Sequence, residues 1–495
     1  MGIIKKQGVF SLFFTYFGFL IGAVNTFFLL PNYLEPEQVG LTKVLLDVGL
    51  TISGFATLGS FSVSFKFFPF YRDNLPKNKN DLFTRIALVS LLGFTIIAGL
   101  TIVFKQQIIA KFITKSPLFV DYYYLIYPFS FLLLCFSFFE AYCWSVRKTI
   151  MSTIQKELVL RVVTTLLILA FILHLFNFHQ FIIAYSLLYF VPAVWLALYL
   201  HKQGELYFAR EVSNVTRKLK KRMINYGGFV FAGSSFFIVT QALDSLFISG
   251  IKGLDNTAVY TIAAYMATVI QVPQRSIISI ATPILSQSWK DKDYANIRMI
   301  YEKSSLNMLI AALFIFLIIW INLDTFFSFL PKEYAAGKWV IFILGISKII
   351  DMGTGLNNVI IGTSNFWKFD FYTSAILIFL IVPGNYFLIT HFGILGAALS
   401  NLIAFTIYDI IRLTFIWRKF NLFPFSINTL KAILAGALSY LAVYLVPDMS
   451  NLYVHSMVIS IVFVGVFAAL ILGGRVSEDI NGFWKMALKK ITKGR

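Results

Sequence analysis

Roughly fourteen apolar stretches, each long enough to cross a hydrocarbon core about 30 Å thick, run through nearly the whole chain. They occupy 8–30, 39–65, 82–104, 118–143, 158–176, 178–200 and 226–250, then 257–286, 306–323, 339–362, 366–390, 393–417, 430–446 and 452–472. Backbone groups in lipid must be bonded internally, and these stretches lack the polar alternation of a membrane-barrel strand, so each is expected to be a helix. The fold class this dictates is an all-α polytopic membrane protein. With 58% of residues hydrophobic and only 13% charged, a soluble fold is excluded, and the connecting loops leave no room for a separate soluble catalytic module.

The cations set the orientation. With the N-terminus placed in the cytoplasm, about thirty of the 42 Lys and Arg fall in cytoplasmic loops, from Lys5 and Lys6 through the runs at 202–222 and 290–303 to the 475–495 tail. Only Lys105, Lys111, Lys115, Lys252, Lys332 and Lys338 fall outside. A missed or invented helix would invert every later loop, so the bias supports the helix count as well as the direction. Both termini are expected in the cytoplasm. The net charge of +19 is then a topology signal with attraction to anionic lipids added, and nucleic acid is not an expected partner. The polar stretches 205–223, 288–301 and 477–491 mix cations with apolar residues at helical spacing and are expected to lie on the cytoplasmic surface.

Cys135 and Cys143 stand eight residues, about 12 Å, apart on one helix, too far to bridge. The five histidines, His174, His179, His201, His391 and His455, show no metal-ligand spacing, so neither a metal nor another cofactor is expected.

The two halves resemble each other. Gly8-Val-Phe, Asn25-Thr-Phe-Phe and Leu34-Glu-Pro-Glu-Gln-Val-Gly-Leu have counterparts in Gly227-Gly-Phe, Asp244-Ser-Leu-Phe and Gly253-Leu-Asp-Asn-Thr-Ala-Val-Tyr260. An even number of crossings separates the copies, so the repeat implies a pseudo-twofold axis along the membrane normal and two lobes facing a central cavity. The expected organisation is an N-terminal lobe at 1–200, an interfacial linker at 201–225, a C-terminal lobe at 226–418, two further helices at 429–474 and a basic tail at 475–495.

Three segments, Leu34-Glu-Pro-Glu-Gln-Val-Gly40, Pro283-Ile-Leu-Ser286 and Asn385-Tyr-Phe-Leu-Ile-Thr-His-Phe-Gly-Ile-Leu-Gly-Ala-Ala398, occur in an order and spacing that resembles one family. That family is the polysaccharide flippase branch of the multidrug, oligosaccharidyl-lipid and polysaccharide exporter superfamily. The resemblance implies a bacterial inner-membrane transporter of two six-helix lobes and two extra helices. It would move an undecaprenyl-pyrophosphate-linked oligosaccharide to the periplasmic leaflet by alternating access and break no bond. It implies membrane lipids and other polysaccharide-assembly proteins as partners. The peptidoglycan-precursor flippases of the superfamily carry basic residues on the first helix and the outer half of the eighth. Here the first stretch holds Asn25 and no cation, and the eighth holds Arg275 at a deeper level, which favours an oligosaccharide carrier.

An ionisable group inside the membrane costs at least about 2.5 to 3.5 kcal/mol and needs a partner or a task. Lys43 with Asp47, Glu157 with Arg161, Lys348 with Asp351 and Asp409 with Arg412 stand three or four residues apart, so each pair shares a helix face. Arg275 has no acid within a turn and is the first candidate for a pyrophosphate contact, on one polar face with Gln271 and Ser279; Pro273 is expected to kink that helix. Lys348, Asp351, Gly355 and Asn358 form a second polar face. Substrate contacts are thus expected from Arg275, Lys348, Lys43, Gln271, Asn358 and Asn25, and ion or proton coupling from Asp47, Asp244 and Asp351. Two alternatives stand beside this reading. A cation-coupled drug exporter of the same superfamily would use an acid without a nearby cation, such as Asp244. A membrane polymerase or glycosyltransferase would need catalytic acids on a sizeable outer loop, and no G-x-S-x-G, H-E-x-x-H or complete phosphate-binding glycine loop is present.

Overall fold

The computed structural model describes residues 14–15, 17–209 and 211–493, with backbone alone at 367 and 486–493. Lys5, Lys6, the Gly8-Val-Phe opening of the repeat, Arg210 and Arg495 lie outside the described residues. Every regular element among the described residues is helical. Nine helices have the length and apolarity to cross a membrane, a bent pair makes a tenth, and two shorter apolar helices, Phe17–Tyr33 and Ile427–Val443, cover further stretches. The chain is a multi-pass membrane protein of all-α class. Its contacts gather into two compact units, Met1–Ala258 and Val259–Arg495.

The first unit contains α1 (Phe17–Tyr33), α2 (Pro36–Ala56), α3 (Ser60–Asn74), α4 (Leu82–Val103), α5 (Ile126–Ser145), α6 (Leu160–Ile172), α7 (Phe178–Lys202) and α8 (Asn214–Ile251). Helix α2 packs on α4, α5 and α8 and forms the centre of the unit. The Leu34–Gly40 segment explains itself here. The Glu35 carboxylate accepts the N3 backbone N–H, the Gln38 side chain accepts the Glu35 N–H, and Pro36 occupies the first helical position, where its missing donor costs nothing. Gly40 lies against the carbonyl of Leu254, whose oxygen stands 2.1 Å from where a Cβ would be. Backbone cannot yield as a side-chain tip can, so Gly40→Val is expected to lower the thermal midpoint by at least the shift that about 1 to 3 kcal/mol of overpacking brings. Gly99→Ala, with nothing within 4 Å of the added carbon, is the matched control and should melt with the native protein in a detergent-solubilised thermal scan.

The stretch at 39–65 is two helices, because Leu58 and Gly59 take positive φ and break it. Gly59, at φ 75°, passes so close to Gly227 that an added Cβ would stand 2.2 Å from the Gly227 carbonyl oxygen. Helix α1 contains a π turn at Asn25–Leu29. Its Gly18 and Gly22 face Glu157 and Arg161, with the Glu157 carbonyl oxygen 1.9 Å from a Gly18 Cβ. Residues 214–223, expected on the surface, instead continue without a break into the span of α8, since no Gly or Pro interrupts the run before Gly227. Residues 288–301 likewise belong to the ends of two long helices.

After α9 (Leu254–Val269), whose first residues belong to the first unit, the second unit contains α10 (Val272–Asp291), α11 (Tyr294–Ile321), α12 (Lys338–Gly353), α13 (Asn357–Thr363), α14 (Trp367–Phe392), α15 (Ile394–Phe420), α16 (Ile427–Val443), α17 (Leu452–Gly473) and α18 (Glu478–Lys493). Tyr301, Met308, Phe316, Met352, Leu356 and Ile360 form its main core. Two breaks shape it. Pro273 stands within the first turn of α10 and starts a new helix rather than kinking one. Between α12 and α13 the axis bends by 43° at Thr354–Leu356, where Gly355 has φ 84°. The third family-like segment forms the α14–α15 turn: Gly393 has φ 59°, and a Cβ on Gly396 would stand 2.0 Å from the Leu388 carbonyl oxygen.

Candidate functional site

The two breaks of the second unit bring polar side chains to one place. Gln271, the cap of α10, donates from its amide to Asp351 Oδ2 at 2.6 Å, and Gln274 donates to the same oxygen at 3.3 Å. Arg275, one residue on, is exposed and makes no hydrogen bond or ion pair among the described residues. Its position in the first turn of α10 sets a cation beside the positive end of the helix dipole, an arrangement that an anion would relieve. Lys348 on α12 is half-buried, with its ammonium 5.3 Å from the centre of the Phe405 ring. Asn358 is exposed at the start of α13, where its own Oδ1 accepts the Val359 N–H at 2.8 Å. Its neighbour on the helix, Asn357, is buried, accepts a hydrogen bond from Tyr301 and leaves its own Nδ2 without a partner.

Behind this surface lies a buried charge network that spacing alone misassigned. Arg412 does not pair with Asp409. Its Nη2 bonds Asp370 on the neighbouring α14, its Nε donates to Thr373 at 3.1 Å, and its guanidinium covers the Tyr408 ring at 3.9 Å. The reason is that α14 and α15 pack as a close antiparallel pair, so the acid across the interface is nearer in direction than the one a turn away. Asp409 is 3% exposed, within electrostatic reach of Asp351, Arg412 and Lys348, and its Oδ2 has no hydrogen-bond partner. It is the acid of this unit whose surroundings leave a proton site open, and its sequence signal was an intramembrane carboxylate discounted because a cation stood three residues away.

In the first unit Lys43 and Asp47 pair at 2.7 Å as their spacing requires, and Ser245 donates to the other Asp47 oxygen, so both oxygens of this buried carboxylate are occupied. Asp244, the preceding residue of α8, is half-buried. Asn25 is 3% exposed and holds α6 with both ends of its amide, donating to the Arg161 carbonyl at 3.0 Å and accepting from Thr165 at 2.9 Å. Glu157 and Arg161 pair at 2.8 Å, yet Arg161 Nη1 is buried without a partner, a donor that the pairing argument overlooked. Tyr185 and Tyr189 pack on Phe129. No cluster of His, Cys, Asp or Glu able to hold a metal occurs among the described residues.

A model of the polysaccharide biosynthesis protein family matches residues 4–289. An uncharacterized membrane protein of Methanocaldococcus jannaschii is 22% identical over 472 residues, covering 90% of each chain. Among solved structures, the lipid II flippase MurJ in its inward closed conformation superposes with a TM-score of 0.71 at 14% identity, over 95% of this chain and 100% of that one. A multidrug resistance MATE family transporter of the MOP superfamily, inward-facing, gives 0.59 at 14% identity, over 82% and 94%. At these identities the two structures are similar in fold alone. The family match covers more than half of the chain, and the chain belongs to the polysaccharide biosynthesis protein family.

Proposed function

We propose that this member of the polysaccharide biosynthesis protein family moves a polyprenyl-pyrophosphate-linked oligosaccharide from the cytoplasmic leaflet to the opposite one by alternating access. The observation that carries the reading is Arg275: an exposed guanidinium in a stretch that the sequence places within the membrane, without a protein partner among the described residues, at a helix start lined with amides. A guanidinium binds phosphate oxygens through two parallel hydrogen bonds, and the pyrophosphate is the part common to all such carriers whatever glycan they bear. Lys348 adds a second cation and Asn358 an amide suited to sugar hydroxyls. The lopsided cation count supports cytoplasmic termini. Nothing in the arrangement requires a bond to break, and the protein acts as a carrier rather than an enzyme.

The test is translocation of an undecaprenyl-pyrophosphate-linked oligosaccharide across proteoliposomes containing the full chain. Transfer of the glycan to the far leaflet, absent from protein-free liposomes, is the expected result. Asp409 supports a second reading, a cation-coupled exporter, because an incompletely bonded buried carboxylate suits proton exchange. Failure to move the lipid-linked glycan together with proton-dependent efflux of an organic cation would replace the first reading with this one.

A further inference from the structure

The ends of α11 and α16 and the beginnings of α12 and α17 enclose a cleft of about 570 Å³ within the second unit, inside the range of small-molecule sites. Alternate crossings put these four ends on one face of the membrane, and the cation count assigns that face to the side away from the basic loops.

One wall is aromatic. Trp320 Nε1 donates to the Tyr440 hydroxyl at 3.2 Å, and the Tyr440 and Tyr444 hydroxyls stand 3.0 Å apart. The two tyrosine rings meet at 83°, and Tyr444 is 71% exposed. The other wall is charged. Lys338 pairs with Asp324 at 2.7 Å, Asp448 has a fully exposed side chain, and His455 lies 4.0 Å from it. His455 Nδ1 is buried and has no partner.

Aromatics that only mark a membrane interface turn their N–H and O–H groups to lipid head groups. Here those groups bond one another, which fixes the rings; Trp320 packs against Phe342 and Trp339, while the exposed Tyr444 keeps open ring surface on the cleft. Two carboxylates against one ammonium make the cleft unsuited to phosphate or to an anionic head group. A sugar ring fits both walls: its C–H face lies on an aromatic ring, and its hydroxyls donate to carboxylates, which are acceptors only. We propose that this cleft is a saccharide-binding subsite for neutral or amino-bearing sugars, holding the glycan of the substrate on the face to which it is delivered. The inference rests on the flippase reading for its physiological ligand, while the binding itself does not depend on Arg275 or the pyrophosphate.

The full chain in nanodiscs is titrated by calorimetry with soluble chitotetraose, cellotetraose and tetragalacturonate, and the same experiment is run on Tyr444→Ala and Asp448→Asn. Both positions are exposed, so neither change should disturb folding, and thermal midpoints check this. At least one of the neutral tetrasaccharides is expected to bind, tetragalacturonate is not, and each substitution should weaken binding by about fivefold or more. To separate a translocated glycan from a resident membrane glycolipid, nanodiscs doped with glucosyl-diacylglycerol are compared with undoped ones. Binding of the soluble tetrasaccharide that the glycolipid leaves unchanged supports the proposal; a site that takes the glycolipid and no soluble glycan overturns it. Absence of neutral-glycan binding, or binding unaffected by both substitutions, also overturns it. If native protein translocates the lipid-linked glycan yet binds no soluble glycan, the subsite falls and the flippase reading stands. Binding without translocation has the reverse meaning.

Discussion

Arg275→Ala is expected to suppress translocation of a pyrophosphate-linked oligosaccharide in proteoliposomes while leaving the thermal midpoint where it was. Truncating one partner of a hydrogen-bonded charge pair costs about 2 to 5 kcal/mol, which corresponds to a loss from about thirtyfold to several thousandfold. The stability half of the prediction follows from the structure: Arg275 is exposed and bonds nothing among the described residues, so its removal breaks no internal contact. Removing it also deletes a cation beside the positive end of α10, which slightly favours the helix. Arg275→Lys keeps the charge and loses the planar fork, so it should fall between alanine and the native chain. Native-rate transport by Arg275→Ala would remove the pyrophosphate from α10. A lowered midpoint with lost transport would mean that the residue acts through folding.

The helical class and the nine or ten long apolar spans were legible, because spacing and length determine which segments can lie in lipid. The breaks were harder to read. Gly59 and Gly355 look like other glycines in an apolar run, and only the close crossing of Gly227 over one and of Tyr301 and Ser305 over the other shows why the chain turns there. The local pairs Lys43–Asp47 and Glu157–Arg161 were legible because both partners sit on one helix. Arg412 was not, since its partner comes from the preceding helix and intrahelical spacing carries no information about a neighbour. The same limit hid Gln274 beside Asp351 and the open oxygen of Asp409. Arg275 stands out in the sequence for the opposite reason: a cation in an apolar stretch with no acid within a turn of its helix is costly, and the sequence shows that cost directly.

Arg412→Leu should show the opposite phenotype, loss of folded protein rather than loss of a transport step. The guanidinium is 3% exposed and holds Asp370, Thr373 and the face of Tyr408 together across the α14–α15 interface. Removing the guanidinium takes a charged hydrogen bond from Asp370, whose side chain is 41% exposed, and leaves the buried Asp409 without its nearby cation, at a cost of about 1 to 3 kcal/mol. The expected result is a strongly lowered midpoint by heating followed by size-exclusion chromatography, with little monodisperse protein recovered. Replacing both partners, Arg412→Leu with Asp370→Leu, removes the Asp370 charge but leaves Asp409 without its cation, so the double variant should recover part of the lost stability. If the double variant is as unstable as the single one, the ion pair is not what holds α14 to α15. If Arg412→Leu folds normally and fails only in transport, Arg412 belongs with Arg275 among the substrate contacts, and Asp370 is its resting partner between transport cycles.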